Sequence, residues 1–177
     1  MTVPTLVLVT GMPSSGKSTV AEGLARELRL ALIAKDVIKE SLYDSLGADD
    51  VGSSGRLGGA AFAVIFALAK SVLSSGASLI VEGNFFLDQE VELAALPAHR
   101  IVQLHCHAPL PILLDRYASR TRHPGHHDAE KIKELSARFE SGAHGPLRLG
   151  GTLIQLDTTQ PLDLALLVRR VREVTDS

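Results

Sequence analysis

Short aliphatic runs alternate along this chain with longer stretches in which apolar residues recur every three or four positions. The runs Leu6–Thr10, Leu30–Ala34, Leu79–Val81, Ile101–His105 and Leu153–Leu156 read as five strands. Between them the helical period appears over Lys17–Arg29, where Val20, Leu24 and Leu28 share one face, and over Val37–Leu46, Leu57–Ser74 and Leu110–Arg120. It recurs over Ala129–Glu140, with Ile132, Leu135 and Phe139 aligned, and over Leu162–Val174, while Asp88–Leu96 reads as a shorter helix. Gly47–Gly59, rich in Gly, Ser and Asp, reads as a loop opening the helix after it, and Thr121–His127 as a polar loop. Strands separated by helices predict an α/β fold, a five-stranded parallel sheet with helices on both faces, in a single domain over residues 1–177. Ligands of such sheets sit beyond the carboxyl ends of the strands. Those ends carry Gly11–Ser18, Asp36, Glu82 and the Asp157 region.

Composition narrows the classes. Of 177 residues, 45% are hydrophobic, enough for a core, and with 4% aromatics and no Trp that core is aliphatic. A net charge of -2 gives no general attraction to nucleic acid or to an anionic membrane. The single cysteine, Cys106, excludes an intrachain disulfide and suits a reducing compartment. The start Met1-Thr2-Val3-Pro4 lacks the basic segment of a signal sequence. The most apolar run, Ala60–Ala69, falls short of the ~18 residues a spanning helix needs, and reads as part of a buried helix. The expectation is a cytoplasmic protein, monomer or homodimer, whose partner is a small molecule.

Candidate chemistry starts at Gly11-Met12-Pro13-Ser14-Ser15-Gly16-Lys17-Ser18, a gapless match to G-x-x-x-x-G-K-[ST] followed by Thr19. About 0.006 accidental matches are expected in a chain of this composition. Glycines let the backbone curl until its N–H groups converge on an anion, and the following helix aims its positive end at the same point. Lys17 supplies a point charge for the β- and γ-phosphates, and the Ser18 hydroxyl can ligate Mg²⁺. An aliphatic strand before and an amphipathic helix after complete the context. Gly11 through Thr19 are therefore the candidate nucleotide-binding residues.

On this loop, and on the strand and helix pattern across nearly the whole chain, the sequence resembles the P-loop kinases of small molecules: chloramphenicol phosphotransferase, gluconate kinase and the zeta-toxin group. The resemblance implies a P-loop fold of the nucleoside-monophosphate-kinase type, ATP as phosphoryl donor, and an arginine-bearing lid at about residues 116–130. Asp36 follows the second strand, where the resembled kinases place an acid facing the acceptor hydroxyl. It is the candidate general base, and the same letter before Val37-Ile38-Lys39-Glu40 also suits a helix N-cap. Lys39, one turn later on the same face, stands where these kinases often carry Arg, and is either a substrate contact or a surface lysine. Glu82 closes the third strand, where a carboxylate can hold the Mg²⁺ shell or hydrogen-bond the acceptor; Gly83 and Asn84 after it offer room and an amide for substrate.

Arg116, Arg120 and Arg122 lie at or just beyond the end of one helix, and Arg116–His126 looks like the R-x-x-x-R…H pattern of gluconate-kinase-like lids. The resemblance implies arginines closing over the transferring phosphoryl group, whose charge a guanidinium stabilises. Helix-dipole complementation explains the same residues without catalysis. His105, Cys106 and His107, and His123, His126 and His127, invite a zinc site. Alternation along a strand turns Cys106 away from its neighbours, and no second ligand cluster has zinc spacing. Contacts to phosphate or substrate suit His123 and His126 better. Asp157–Pro161 is expected to flank adenine, while Arg169, Arg170 and Arg172 read as a solvated face.

A nucleotide-dependent regulatory module is the alternative to a kinase, and a zeta-toxin-like kinase of a sugar nucleotide shares the kinase chemistry. A GTPase is disfavoured: N-K-x-D is absent, and the D-x-x-G match at Asp49-Asp50-Val51-Gly52 follows no aliphatic strand.

Overall fold

The computed structural model describes residues 3–47, 50–120, 123, 136–137, 139–142 and 145–175. Its sheet has five parallel strands, β1 (Thr5–Gly11), β2 (Ala31–Ala34), β3 (Leu79–Glu82), β4 (Arg100–His107) and β5 (Thr152–Asp157), in the order β2-β3-β1-β4-β5. Among the described residues the helices include α1 (Lys17–Leu28), α2 (Lys35–Leu46), α3 (Val51–Ser74), α4 (Glu90–Ala94), α5 (Leu110–Ser119) and α6 (Leu164–Thr175). The expected α/β architecture, parallel and helix-covered on both faces, is present.

All seven residues of β1 are buried, as a central parallel strand requires. Its alternate residues divide the core. Val7 and Val9 join Ile80, Val102 and Leu104 beneath α1 and α6, which contribute Val20, Leu24, Leu167 and Val171. Leu6 and Leu8 join Leu79 and Val81 beneath Ile65, Ala69 and Leu73 of α3. Burying each large aliphatic side chain contributes roughly 1.5–3 kcal/mol. The same period of two decides where the polar strand ends point. Ile80 faces α1, so Glu82 does as well, and it meets the first turn of that helix.

Three expectations require correction. The Gly47–Gly59 segment is mostly helix: α3 begins at Val51, capped by Asp50, whose side chain accepts from Ser53 N. Gly52, Gly55, Gly58 and Gly59 each cost about 1 kcal/mol of helix propensity relative to Ala. Tertiary packing offsets this, because Ser54, Leu57 and Ala61 are buried along one face of α3. Asp36 is not an N-cap, since α2 already begins at Lys35 after Ala34, which puts Asp36 in the first turn. Finally, Gly52–Ser74 as a whole is long and apolar enough to cross a membrane by length and composition, although Ala60–Ala69 alone is not. That signal is weak here: Ile65, Ala69 and Leu73 are core residues on the sheet, as in the core helix of a folded domain. The Asp88–Leu96 helix divides into a 3₁₀ turn, Leu87–Gln89, and α4. Most of the expected lid and of the Ala129–Glu140 helix lies outside the described residues.

Candidate functional site

The turn from β1 into α1 is bent in the way its glycines allow. Gly11 has φ 144°, and a Cβ there would stand 2.3 Å from the Cys106 carbonyl oxygen. Gly16 sits at φ 80° as the residue before α1, so no side chain caps the helix and its first N–H groups face the loop. Ser14 adopts φ 65°, unusual for a residue with a side chain. The hydroxyls of Ser14 and Ser15 are buried without a hydrogen-bond partner. Unsatisfied buried hydroxyls are costly, and in a loop whose amides converge they fit an anionic ligand. Met12 contributes packing, its side chain buried with Ala108, Leu113 and Tyr117.

Lys17 is only 6% exposed, and its Nζ lies 3.5 Å from Oε1 of Glu82. The Ser18 hydroxyl lies 3.5 Å from the same oxygen. Burial pushes the Glu82 carboxyl above the usual carboxylate range; Lys17 opposes that push, and the charge of Asp36 adds to it. A hydroxyl and a carboxylate beside a phosphate loop are the hard oxygen donors Mg²⁺ prefers. The residues present therefore fit a nucleotide phosphate with its metal.

Beyond β2, the Asp36 carboxylate lies 3.4 Å from Lys35 Nζ. Lys35 is buried, its ammonium 5.7 Å from the centre of the Phe62 ring. Lys39 is 4% exposed and donates to the Ser54 hydroxyl at 2.7 Å, so it is not a surface lysine. Phe62 and Phe66 of α3 close this side together with Phe85, the Phe62 and Phe85 rings being 5.2 Å apart. Asn84 lies half-buried between Gly83 and Phe85. Gly83 packs so closely that a Cβ would meet the Phe85 ring at 3.1 Å.

α5 brings in the arginines. Arg116 and Arg120 line a trough of about 250 Å³ together with Lys17, Ser18 and Thr19. Arg116 is held from below: its Nη1 donates to Thr158 Oγ1 at 3.1 Å and its Nη2 to the Thr158 carbonyl at 2.7 Å. It also walls a second, more apolar cleft of about 380 Å³ with Val20, Leu156, Pro161, Leu162 and Leu166. That cleft lies along the β5–α6 loop, where the sequence anticipates adenine. Arg170, read from sequence as solvated, lines it too. Asp157 accepts from the Thr159 N–H and hydroxyl, which holds its carboxyl below the usual range. The Arg120 guanidinium stacks 4.6 Å from the centre of the Tyr117 ring. Arg122 lies outside the described residues.

The histidines sort as strand alternation requires. Cys106 is buried in the α1 face of the core, while His105 and His107 stack on the opposite face at 6.4 Å. Among the described residues no group of His, Cys, Asp and Glu forms a metal site of three or more ligands. His123 sits on α2, its Nε2 2.9 Å from Asp44 Oδ1 and its ring edge-on to Tyr43. Sequence reasoning missed Lys35, Tyr43, Ser54 and Phe62, and it did not anticipate the bonds from Arg116 to Thr158. Only Lys35 carried a signal, as the basic neighbour of Asp36 at a strand end.

The comparisons agree with this fold. Residues 6–141 match the AAA domain family. An uncharacterized protein of Mycobacterium tuberculosis H37Rv is 32% identical over 144 residues, covering 75% of this chain and 29% of its own, so the chain spans about three-tenths of that relative. A crystal structure from Chloroflexus aurantiacus, described as a candidate kinase, is 36% identical and superposes with a TM-score of 0.89 over 97% of this chain and 98% of its own. A gluconokinase from Sinorhizobium meliloti, 21% identical, shares the fold at a TM-score of 0.56 over 99% of this chain and 97% of its own. The chain belongs to the AAA domain family, on the P-loop fold that small-molecule kinases share.

Proposed function

We propose that the protein is an ATP-dependent phosphotransferase that moves the γ-phosphoryl group of ATP onto a hydroxyl of a small molecule. The observation that carries this reading is the meeting of Lys17, Ser18 and Glu82 within 3.5 Å at the phosphate loop, with Asp36 beyond them. In this reading the loop amides and Lys17 grip the phosphate tail, and Arg116 and the apolar cleft hold the base. Ser18 and Glu82 would hold Mg²⁺, which when bound neutralises phosphate charge. Asp36 accepts the proton of the acceptor hydroxyl as that oxygen bonds to phosphorus and ADP leaves. Arg120 meets the charge spread over the transferring oxygens.

The acceptor is antibiotic-, sugar- or nucleoside-like, and it enters beside Lys39, Asn84 and the Phe62 wall. A cytoplasmic location fits the lone buried thiol of Cys106. The test is an ATP-consumption screen with Mg²⁺ across hydroxylated metabolites and antibiotics. A phosphotransferase forms one ADP per phosphorylated acceptor, and Lys17→Ala abolishes that product. Transfer retained in Lys17→Ala sinks the assignment. Saturable nucleotide binding without transfer to any acceptor favours a regulatory module instead.

A further inference from the structure

We propose that the cavity beside the end of β4, closed by Phe139, Gly142 and Gly145, is the far end of the acceptor site, and that it takes an uncharged planar ring bearing a hydrogen-bonding atom for His105. The role of acceptor rests on the phosphotransferase reading; the chemistry of the cavity rests on its own residues.

The cavity holds about 200 Å³. A site for a whole drug-sized ligand runs to roughly 300–1,000 Å³, so this one takes one end of a molecule. Met12, Ala108 and Leu113 line it as part of one buried cluster, and the Phe139 ring, 38% exposed, lines it as well. A thioether and an aromatic ring both favour contact with a planar π-system. Among the described residues no Asp, Glu, Lys or Arg lines it. A charged group entering would lose hydration without meeting a counterion. The phosphate trough, with Lys17, Arg116 and Arg120, has the opposite character.

His105 supplies the polar contact. It is 6% exposed, with Nδ1 3.2 Å from the Thr10 hydroxyl. Burial holds its pKa down at about 4, so the ring is neutral at neutral pH. A neutral imidazole has one donor and one acceptor nitrogen. Thr10 engages Nδ1, and Nε2 has no hydrogen bond among the described residues. Leaving it so is costly in a buried ring, and a ligand hydroxyl, amide or ring nitrogen would meet it. The glycine wall is tied to the sheet two residues further on. There the Gln103 amide pairs with both backbone groups of Leu147, Nε2 donating to the carbonyl at 2.9 Å and Oε1 accepting from the N–H at 2.8 Å.

The cavity lies on the acceptor's side of the sheet. His105 is on the face that α3 covers, and Phe62 of that helix walls the Asp36 side. β4 pairs with β1, Thr10 opposite His105 and Gly11 opposite Cys106, so the cavity adjoins the root of the phosphate loop. From β2, which leads into Asp36, to β4 is three strand spacings, roughly 14 Å. An acceptor with its hydroxyl at Asp36 and its ring in the cavity is therefore elongated, not a single sugar.

The test titrates two probes into the protein saturated with Mg·ADP, with ligand-observed NMR reading the affinity. Benzyl alcohol is an uncharged ring too short to reach Asp36, and benzoate is its anionic counterpart. Benzyl alcohol is expected to saturate, and benzoate to bind at least tenfold more weakly. Phe139→Ala is expected to weaken benzyl alcohol about fivefold and Ala108→Leu, which fills the cavity, at least tenfold. Affinity for Mg·ADP should change less than twofold in either. If Ala108→Leu fails to fold, Phe139→Ala carries the comparison. No saturation, tighter binding of benzoate, or full affinity in the variants overturns the cavity assignment. Transfer confined to charged acceptors and unchanged in Phe139→Ala overturns the subsite while keeping the phosphotransferase. Ring binding as expected, with no transfer from ATP to any acceptor, supports the cavity and overturns the phosphotransferase reading instead.

Discussion

Lys17 and Glu82 share one buried ion pair, the lysine from the first turn of α1 and the carboxylate from the last residue of β3. Burial raises the Glu82 pKa above its ordinary value of 4.5, with Lys17 opposing. If Glu82 holds Mg²⁺ as proposed, it must be ionised to do so, and Mg²⁺ with nucleotide then has to displace a proton from a carboxyl that holds it unusually late. Affinity for Mg·ADP is therefore expected to weaken as pH falls through the raised pKa, with protons released on binding. Calorimetry in buffers of different ionisation enthalpy measures that release. In Glu82→Gln the release vanishes and the Mg²⁺ requirement rises at least tenfold.

Asp36 lies in the first turn of α2, near enough for its charge to act on Glu82. Its replacement separates binding from chemistry. Asp36→Asn is expected to keep nucleotide affinity within about threefold and to lose roughly 10²–10⁴ in transfer, the usual contribution of a positioned base. Equal losses in both, measured by titration and by initial rates, would reduce Asp36 to a structural residue.

Arg116 faces both cavities and is bound twice to Thr158. Arg116→Ala is expected to raise KM for ATP about tenfold or more. Thr158→Val removes one of the two bonds and should raise it less, by about threefold. If kcat falls while KM holds, the guanidinium serves the transition state and not the base cleft.

His105 is buried on the α3 side of β4, with Nδ1 3.2 Å from the Thr10 hydroxyl. Burial lowers its pKa from 6.5 to about 4, with His107 adding to the shift. Between those values the unfolded chain binds a proton that the folded protein refuses. His105 thus supports the fold fully above pH 6.5 and loses that support as pH falls toward 4, a loss of a few kcal/mol at about 1.4 per unit. Glu82 acts in the opposite sense, since its raised pKa makes stability decline as pH rises from 4.5. Denaturant titrations of His105→Gln should show the acid-side loss removed while the Glu82 slope remains.

Much of the fold was legible because parallel strands are covered on both faces and therefore read as unbroken aliphatic runs, such as Leu6–Val9. The phosphate loop was legible because its chemistry is local: consecutive residues make the cradle. The opening of α3 was not. Its glycines and serines match loop composition, and what makes it helical is nonlocal, the packing of Leu57 and Ala61 and the bond from Lys39 to Ser54. The grip of Thr158 on Arg116 and the seat of His123 on α2 were illegible for the same reason. Each joins residues far apart in sequence, and no periodicity records such a meeting.

Gly59 tests that account of α3. It is exposed within the helix, and an added Cβ would meet nothing within 4 Å. Gly59→Ala is expected to stabilise the protein by about 0.5–1 kcal/mol, through better helix propensity and a less free unfolded chain. A neutral or lower midpoint in urea would mean that these turns are held more tightly than their composition implies.

Four glycines in the opening turns of α3 divide the two halves of the site by their thermal breathing. The phosphate loop and Glu82 stand on β1 and β3, buried along their whole length, and should show slow amide exchange. The turns around Ser54 should exchange fastest among the walls, because their helix is locally poor and survives on borrowed contacts. In the proposed reaction an incoming acceptor then meets a wall that reshapes cheaply, opposite a phosphate cradle that does not.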